Sequence, residues 1–548
     1  MRPRPSPARR RSPSVGPPGR LAWAVVALVL LVVLCVRIRL LDVPFERDEG
    51  EYAYAGQLIL HGIPPYKLVY NMKLPGTYAA YALFLMLFGQ TVRGVHLGLL
   101  VVNAGTIALL YLLARRLVGS YAGAVAAATY ALLSVAPGVD GVFAHATHLV
   151  VLPALGGLLL LLRALESGRP LDYALGGVLL GLAFMMKQHG VFLGLFGGAV
   201  VVGHALRTPS PQRRLAALGA AFAAGAVLPF LLTCLTLAAL GVFSTFWFWT
   251  VRYAAVYVSS LPLGAGLQNL QDGFTRVTAL SLPLWGLALA GLGVLVGSRN
   301  LGPHRAFIAG FLLFSFLAMC PGLYFREHYF VLLLPPVALL AGIALDALRR
   351  LLATRGHARA ARVVPGALFA SACAVVLMAQ AQFLFAATPR EASRMCYGLN
   401  PFPEAAVIAD TIAARAAPDD RIAIIGSEPE ILFYANRLSA TGHIYMYGLM
   451  EVQPYARVMQ QQAIREIESS DPAWLVFVNV PQSWLMQPKS DLSILEWYSN
   501  TARKAYEPVG LVEILSASET AYTWGGDIRS HAPRSPYFLI VYRRMARS

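Results

Sequence analysis

The feature that most limits what this chain can fold into is the recurrence of apolar runs close to the ~20 residues needed to cross a bilayer. They fall at 21–40, 93–114, 120–138, 147–165, 171–186, 190–206, 215–241, 277–297, 306–323, 328–348 and 364–387. With 57% hydrophobic and only 13% charged residues, an ordinary water-soluble globule is excluded. The expectation is a polytopic α-helical membrane protein of about eleven spans. The run LPGTYAAYALFLMLFG (74–89) is shorter and opens on Pro-Gly. It reads as a juxtamembrane or re-entrant helix.

The net charge of +17 would suit nucleic acid, but its distribution argues against that partner. The arginines lie in an N-terminal Pro/Ser/Arg tail (1–20, expected to be disordered) and in short links between apolar runs, with no basic-aromatic face. The run Leu21–Val36 is followed by no small-residue cleavage pattern, so it reads as an uncleaved first span. With the tail inside, the inner links carry Arg115 and Arg116; Arg163 and Arg169; Arg207, Arg213 and Arg214; Arg299 and Arg305; and Arg349, Arg350, Arg355, Arg359 and Arg362. The opposite links are poorer in Lys and Arg, as the positive-inside rule requires. Counting 74–89 as a full span would invert everything after it and break the pattern. The expected location is a membrane, crossed many times, with the N-terminus cytoplasmic.

The same alternation places every chemically capable cluster outside: Asp48/Glu49, Lys73, His145/His148, Lys187/His189 and Arg326/Glu327/His328. Each has a bland reading. Asp48 and Glu51 resemble a capping box; Lys73 and Lys187 resemble snorkelling lysines; Arg326 and His328 sit among aromatics as interfacial anchors would. Their convergence on one side, beside a loop crowded with Glu46, Asp48, Glu49 and Glu51, points instead to a shared site. A helix start favours an ionised carboxylate at Asp48, and Lys73 precedes the Pro75-Gly76 helix start, a place suited to an anion. His145 and His148 have a spacing open to a metal, but HATH is not HExxH, so cavity lining is the preferred reading and no metal site is expected. The aromatic segment 243–258 is expected at the outer interface. Four of the five cysteines lie in apolar runs and none forms a CxxC, so neither a disulfide framework nor zinc is expected.

After about residue 388 the composition becomes that of a soluble domain. DDRIAIIGS, AWLVFVNV and PYFLIVYRR read as strands, and PEAAVIADTIAARA and ARVMQQQAIREIESS as amphipathic helices. The organisation is thus a tail (1–20), a membrane module (21–387) and a small extracytoplasmic α/β domain (388–548). That domain carries no GxGxxG or P-loop.

RDEGEYAYAG followed by HGIPPYKLVYNMKLPGTY resembles the first outer loop of GT-C glycosyltransferases of the protein-mannosyltransferase and lipid-A-aminoarabinose-transferase type, including the bacterial RgtA/B/C/D-like branch. The resemblance implies a membrane enzyme that moves a sugar from a polyprenyl-phosphate donor to an outer glycan, lipid or protein acceptor, by inverting displacement and with no required cofactor. It implies catalysis at Asp48, with Glu49 its neighbour, and donor phosphate at Lys73. Chemical reasoning adds Lys187, Arg326 and His328 as phosphate partners, and Tyr52, Tyr66, His145, His148 and His189 as cavity lining. The rival readings are a flippase for lipid-linked sugars, which should show repeated halves or broken helices at the midplane, and an assembly protein whose outer domain does the work.

Overall fold

The computed structural model describes residues 20–208, 211–298, 301–302, 304–526, 528 and 531–545. The expected N-terminal disorder, up to residue 19, and Arg299 lie outside these described residues.

Each of the eleven apolar runs forms a helix. In chain order the module contains α1 (Arg20–Arg39), α2 (Arg47–Leu60), α3 (Pro75–Phe88), α4 (Val92–Leu117), α5 (Ser120–Leu133), α6 (Ala146–Ser167), α7 (Pro170–Met186) and α8 (Val191–Ala205). It continues with α9 (Gln212–Ala239), α10 (Phe243–Trp247), a π-helical turn Phe248–Tyr253, α11 (Ala254–Val258), α12 (Leu263–Ala279), α13 (Leu282–Gly297), α14 (His304–Met319), α15 (Leu334–Thr354) and α16 (Ala358–Ala379). Among the described residues six helices are long and apolar enough to cross a membrane alone, and α12 with α13, bent by 112°, would make a seventh. The others are shorter than a bilayer needs, or, in α15, carry Asp346, Arg349 and Arg350. The chain is a multi-pass membrane protein; the expected span count of eleven exceeds what length and apolarity support.

α12 was not expected as a helix of its own. Its Gln268, Asn269, Gln271 and Asp272 hide the apolar face from a hydropathy reading, and the 112° bend makes it cross the end of α13. Where helices cross closely, small residues make the contact. Gly177 and Gly181 of α7 leave no room for a Cβ against Phe222 and Ala226 of α9, and Gly291 of α13 abuts Leu340 of α15.

The arginine-bearing links gather at one end of this bundle. Arg116 pairs with Glu166 at 2.7 Å, and Arg350 reaches the carbonyl of Val118. The 26 residues of α4, about 39 Å of helix, separate that end from the loops bearing Asp48, Lys73, His145, Lys187 and Arg326.

The C-terminal domain, the one expected on the outer side, is built on a six-stranded sheet: β1 (Arg421–Ile425), β2 (Leu438–Ser439), β3 (Trp474–Asn479), β4 (Tyr506–Ile514), β5 (Thr520–Trp524) and β6 (Phe538–Arg544), in the order β2-β1-β3-β6-β4-β5. β1 runs parallel to β2 and β3, whereas β6 is antiparallel to both β3 and β4. Both amphipathic helices expected here form, as Phe402–Ala413 and Ala456–Ser470. The carboxyl end of β1 delivers Ser427 and Glu428 against the start of α2, and the following helix Glu430–Ala435 packs on α2 itself.

Candidate active site

α2 begins one residue pair earlier than the sequence suggests. Its N-cap is Glu46, whose carboxylate accepts from the amides of Asp48 (2.9 Å) and Glu49 (2.8 Å), while Glu49 reaches back to the amide of Glu46. The capping box is therefore Glu46–Glu49, not Asp48–Glu51. As a result Asp48 and Glu49, one helical step apart, face different ways. Glu49 is fully buried behind the site, bonded to His96 Nε2 at 3.0 Å and to the amide of Ala144. Its expected catalytic place beside Asp48 is corrected: it holds α2 to α4 and to the loop before α6. Glu51 is likewise fully buried, accepting from Tyr78 Oη (2.5 Å) and Asn71 Nδ2 (2.6 Å).

Asp48 lines a cavity with Lys73, Lys187, His189, Arg326, His328 and Tyr329, closed from the outer domain by Tyr445, Tyr447 and Glu451. Its Oδ2 lies 3.0 Å from Lys73 Nζ, and its Oδ1 accepts from Tyr445 Oη at 3.0 Å. Lys73 also donates to Tyr52 Oη at 2.9 Å. Burial alone would raise the Asp48 pKa, but the Lys73 ammonium, aided by the nearby His145 and Lys187, holds it well below the usual carboxylate range. Lys187 lies 4.1 Å from the centre of the Tyr329 ring, and Arg326 faces the Tyr324 ring. Neither forms an ion pair among the described residues. Burial, together with the charge of Lys73, pushes Lys187 down to about 7. Two cations without an ion-pair partner in one cavity suit an anionic ligand.

The histidines separate into three roles. His145 and His328 stack at 4.1 Å beside Asp48. Burial, and then the neighbouring His145 and Lys187, hold His328 well below its ordinary value, which favours the neutral ring. His189 lines the cavity with its Nδ1 against the carbonyl of Ala318. His148 is buried away from the cavity, with neither nitrogen bonded among the described residues, and it does not line the site as expected. Tyr66 is also outside the lining; its hydroxyl donates to the carbonyl of Lys73 at 2.7 Å and so fixes the loop that carries the lysine. Asp48, His145 and His328 do bring ligand atoms within 4.8 Å of one another, a set that could hold a metal ion. Lys73 already balances the Asp48 charge there.

The sequence reading missed the outer domain's share. Arg47, next to Asp48, donates to Tyr447 Oη (2.7 Å), Asn400 Oδ1 (3.1 Å), both Glu428 oxygens (2.9 and 3.1 Å) and the carbonyl of Ser427. Ser427 Oγ accepts from the amide of Met446 at 2.7 Å, which sets the loop bearing Tyr445 and Tyr447. The aromatic segment expected at the interface, 243–258, supplies Trp249, Tyr253 and Tyr257 to the cavity wall. Tyr253 Oη donates to Glu451 at 2.6 Å and ties that wall to the outer domain. The one local hint of this was HIYMYG (443–448), aromatic beyond what a surface loop needs.

The chain is thus a multi-helix membrane module that presents an acid, Asp48, to a cation-lined cavity closed by an α/β domain. Residues 73–249 match the family model of dolichyl-phosphate-mannose-protein mannosyltransferases. Among solved structures the chain is similar to ArnT from Cupriavidus metallidurans bound to undecaprenyl phosphate, at 17% identity and a TM-score of 0.56, covering 96% of this chain and 98% of that one. It is also similar to the Archaeoglobus fulgidus oligosaccharyltransferase tethered to an acceptor peptide, at 14% identity and a TM-score of 0.50, over 92% of this chain and 74% of that one. No curated protein sequence matches it.

Proposed function

We propose that this protein is a membrane glycosyltransferase that moves a sugar from a polyprenyl-phosphate donor to an acceptor hydroxyl on the outer face of a plasma membrane, by inverting, metal-independent displacement. The observation that carries the reading is the pairing of one ionised carboxylate, Asp48, with three cations in one cavity, two of which lack a carboxylate partner. ArnT, whose fold the chain shares, is described with undecaprenyl phosphate bound. The arginine-rich links at the far end of the bundle support a cytoplasmic face there and an outer face at the site.

The contacts support the following chemistry. The acceptor oxygen attacks the anomeric carbon, the bond from that carbon to the phosphate oxygen breaks, and polyprenyl phosphate leaves with the electron pair. The acceptor proton passes to Asp48. A lipid phosphate leaves as a stable anion, so one carboxylate suffices where a glycosidase needs two. Lys187 and Arg326 meet the charge growing on the leaving phosphate, and His328 donates a neutral hydrogen bond. Lys73 bridges the two halves of the reaction. A donor phosphate competing for its ammonium weakens the hold on Asp48 and makes the carboxylate a better base when the donor is in place.

A flippase would need the same cations but no base at the phosphate. Purified protein given a radiolabelled polyprenyl-phosphate sugar and acceptor separates the two. Transfer that falls at least about 100-fold in Asp48→Asn, with donor binding retained, supports the enzyme; undiminished transfer in that variant removes Asp48 as the base.

A further inference from the structure

Arg326 is carried by a backbone that its neighbours do not favour. The φ angles of Leu323 and Phe325 are 58° and 45°, on either side of Tyr324 at −77°. Bulky side chains disfavour that left-handed region, which Gly, Asn and Asp enter far more readily. The conformation has a use. Phe325 is turned into the core, where it is 4% exposed, while Tyr324 and Arg326 line the adjoining cavities around Asp48. The Arg326 guanidinium lies 5.6 Å from the Tyr324 ring, which in turn stacks on Tyr257 of α11 at 4.7 Å. Strain of this kind persists only where the surroundings impose it.

What imposes it is α12. Gly266, Asn269, Gly273 and Val277 recur at three- and four-residue intervals and so share one face of that helix. The face is laid along the strained segment. A Cβ at Gly266 would stand 2.7 Å from Leu323 Cβ, and one at Gly273 would stand 2.8 Å from the carbonyl oxygen of Phe325. Only glycine allows so close an approach. Between the two glycines Asn269 Nδ2 donates to the carbonyl of Leu323 at 3.1 Å. Among the described residues it is the one side-chain hydrogen bond from α12 to residues 321–326. Farther along, Arg276 pairs with Glu327 at 2.7 Å, but its side chain is 64% exposed, so the pair contributes little. The amide of Asn269, not the surface ion pair, is the contact that fixes the turn.

We propose that Asn269 is a positioning residue for the donor phosphate. By holding the Leu323 carbonyl it keeps the strained turn in the form that sets Arg326 in the cavity wall before any ligand arrives. The inference rests on the proposed donor reading and adds to it a residue that acts through Arg326 rather than on the donor. A cation preset in this way binds more tightly than one that must be recruited, because nothing need reorganise when the phosphate enters.

The test measures binding of polyprenyl phosphate to the full chain in lipid nanodiscs, with uncharged polyprenol as the reference. Alanine suits a helix, so Asn269→Ala keeps α12. Its Kd for polyprenyl phosphate is expected to rise about tenfold, the equivalent of one lost hydrogen bond, while that for polyprenol does not move. Two combinations separate positioning from a loosened fold. In an Arg326→Met background, Asn269→Ala is expected to add nothing further, because both changes act through one group. In an Asn269→Ala background, Leu323→Gly is expected to return the Kd to within about threefold of the wild type, because glycine enters the left-handed region freely. An unchanged Kd in Asn269→Ala, an equal loss for polyprenol, a loss that persists beside Arg326→Met, or no return with Leu323→Gly overturns this assignment alone. A wild type that does not bind polyprenyl phosphate overturns the donor reading and this one with it.

Discussion

The hydroxyl of Tyr445 donates to Asp48 Oδ1 at 3.0 Å across 397 residues of chain. The carboxylate expected to act as base is thus oriented by a residue of the outer domain. A hydrogen bond to a charged group contributes roughly 1.5–3 kcal/mol. Tyr445→Phe is therefore expected to lower kcat by about tenfold or more without moving the thermal midpoint, measured by steady-state transfer and by thermal unfolding. An equal kcat in the variant would mean that Asp48 is held without it.

The neighbouring contact has the opposite signature. Arg47 and Glu428 are both buried and make their ion pair at 2.9 Å. Removing one partner leaves the other charged and unpaired in the interior, a cost of roughly 3–5 kcal/mol. Arg47→Met is expected to lower the thermal midpoint and to loosen the outer domain from the membrane module, read as new protease cleavage near residues 387–400. Retained midpoint and protease resistance would show the pair to be dispensable.

Lys73 fixes the acid side of the pH profile. It is what outweighs burial at Asp48. In Lys73→Met burial prevails, the Asp48 pKa rises, and activity that the wild type keeps at low pH is lost as the medium is acidified through the carboxylate range. The same variant is expected to raise the donor KM. An acid limb at the wild-type position would separate Lys73 from the base.

The alkaline side belongs to Lys187, lowered to about 7 by burial and by Lys73. Its charge is present below that value and lost above it. Donor kcat/KM, which reports the free enzyme, is expected to fall as pH rises through about 7. In Lys187→Arg the side chain stays charged and the fall disappears. Persistence of the limb in that variant would assign it elsewhere.

Asp48, His145 and His328 form the one candidate metal cluster among the described residues. With Lys73 seated on the carboxylate, transfer is expected to be unchanged after incubation with EDTA and unaltered by added Mn²⁺ or Zn²⁺. Loss on chelation with recovery on re-addition would make the triad a metal site.

Much of this was legible before any coordinates. The length of the apolar runs located a helix at each of the expected spans, and counting arginines grouped Asp48, Lys73, His145, Lys187 and Arg326 on one side, where the fold brings them together around adjoining cavities. The errors have local causes. Glu46 takes the cap, so Glu49 turns inward while Asp48 turns out. α12 hides its apolar face behind polar neighbours. Arg47, Glu428, Tyr445 and Tyr447 were silent because their partners lie more than 350 residues away in the chain, where no spacing rule reaches. His148 and Tyr66 were grouped with the cavity by proximity in sequence, and tertiary packing took them elsewhere.

Strand β6 lies between β3 and β4 in the middle of the sheet, yet it is the last of the six to be synthesised. The sheet that holds the loop of Tyr445 over Asp48 therefore stays open down its centre until that strand is threaded into place. A nascent chain with all its membrane helices inserted would still lack the strand that completes the sheet behind Tyr445.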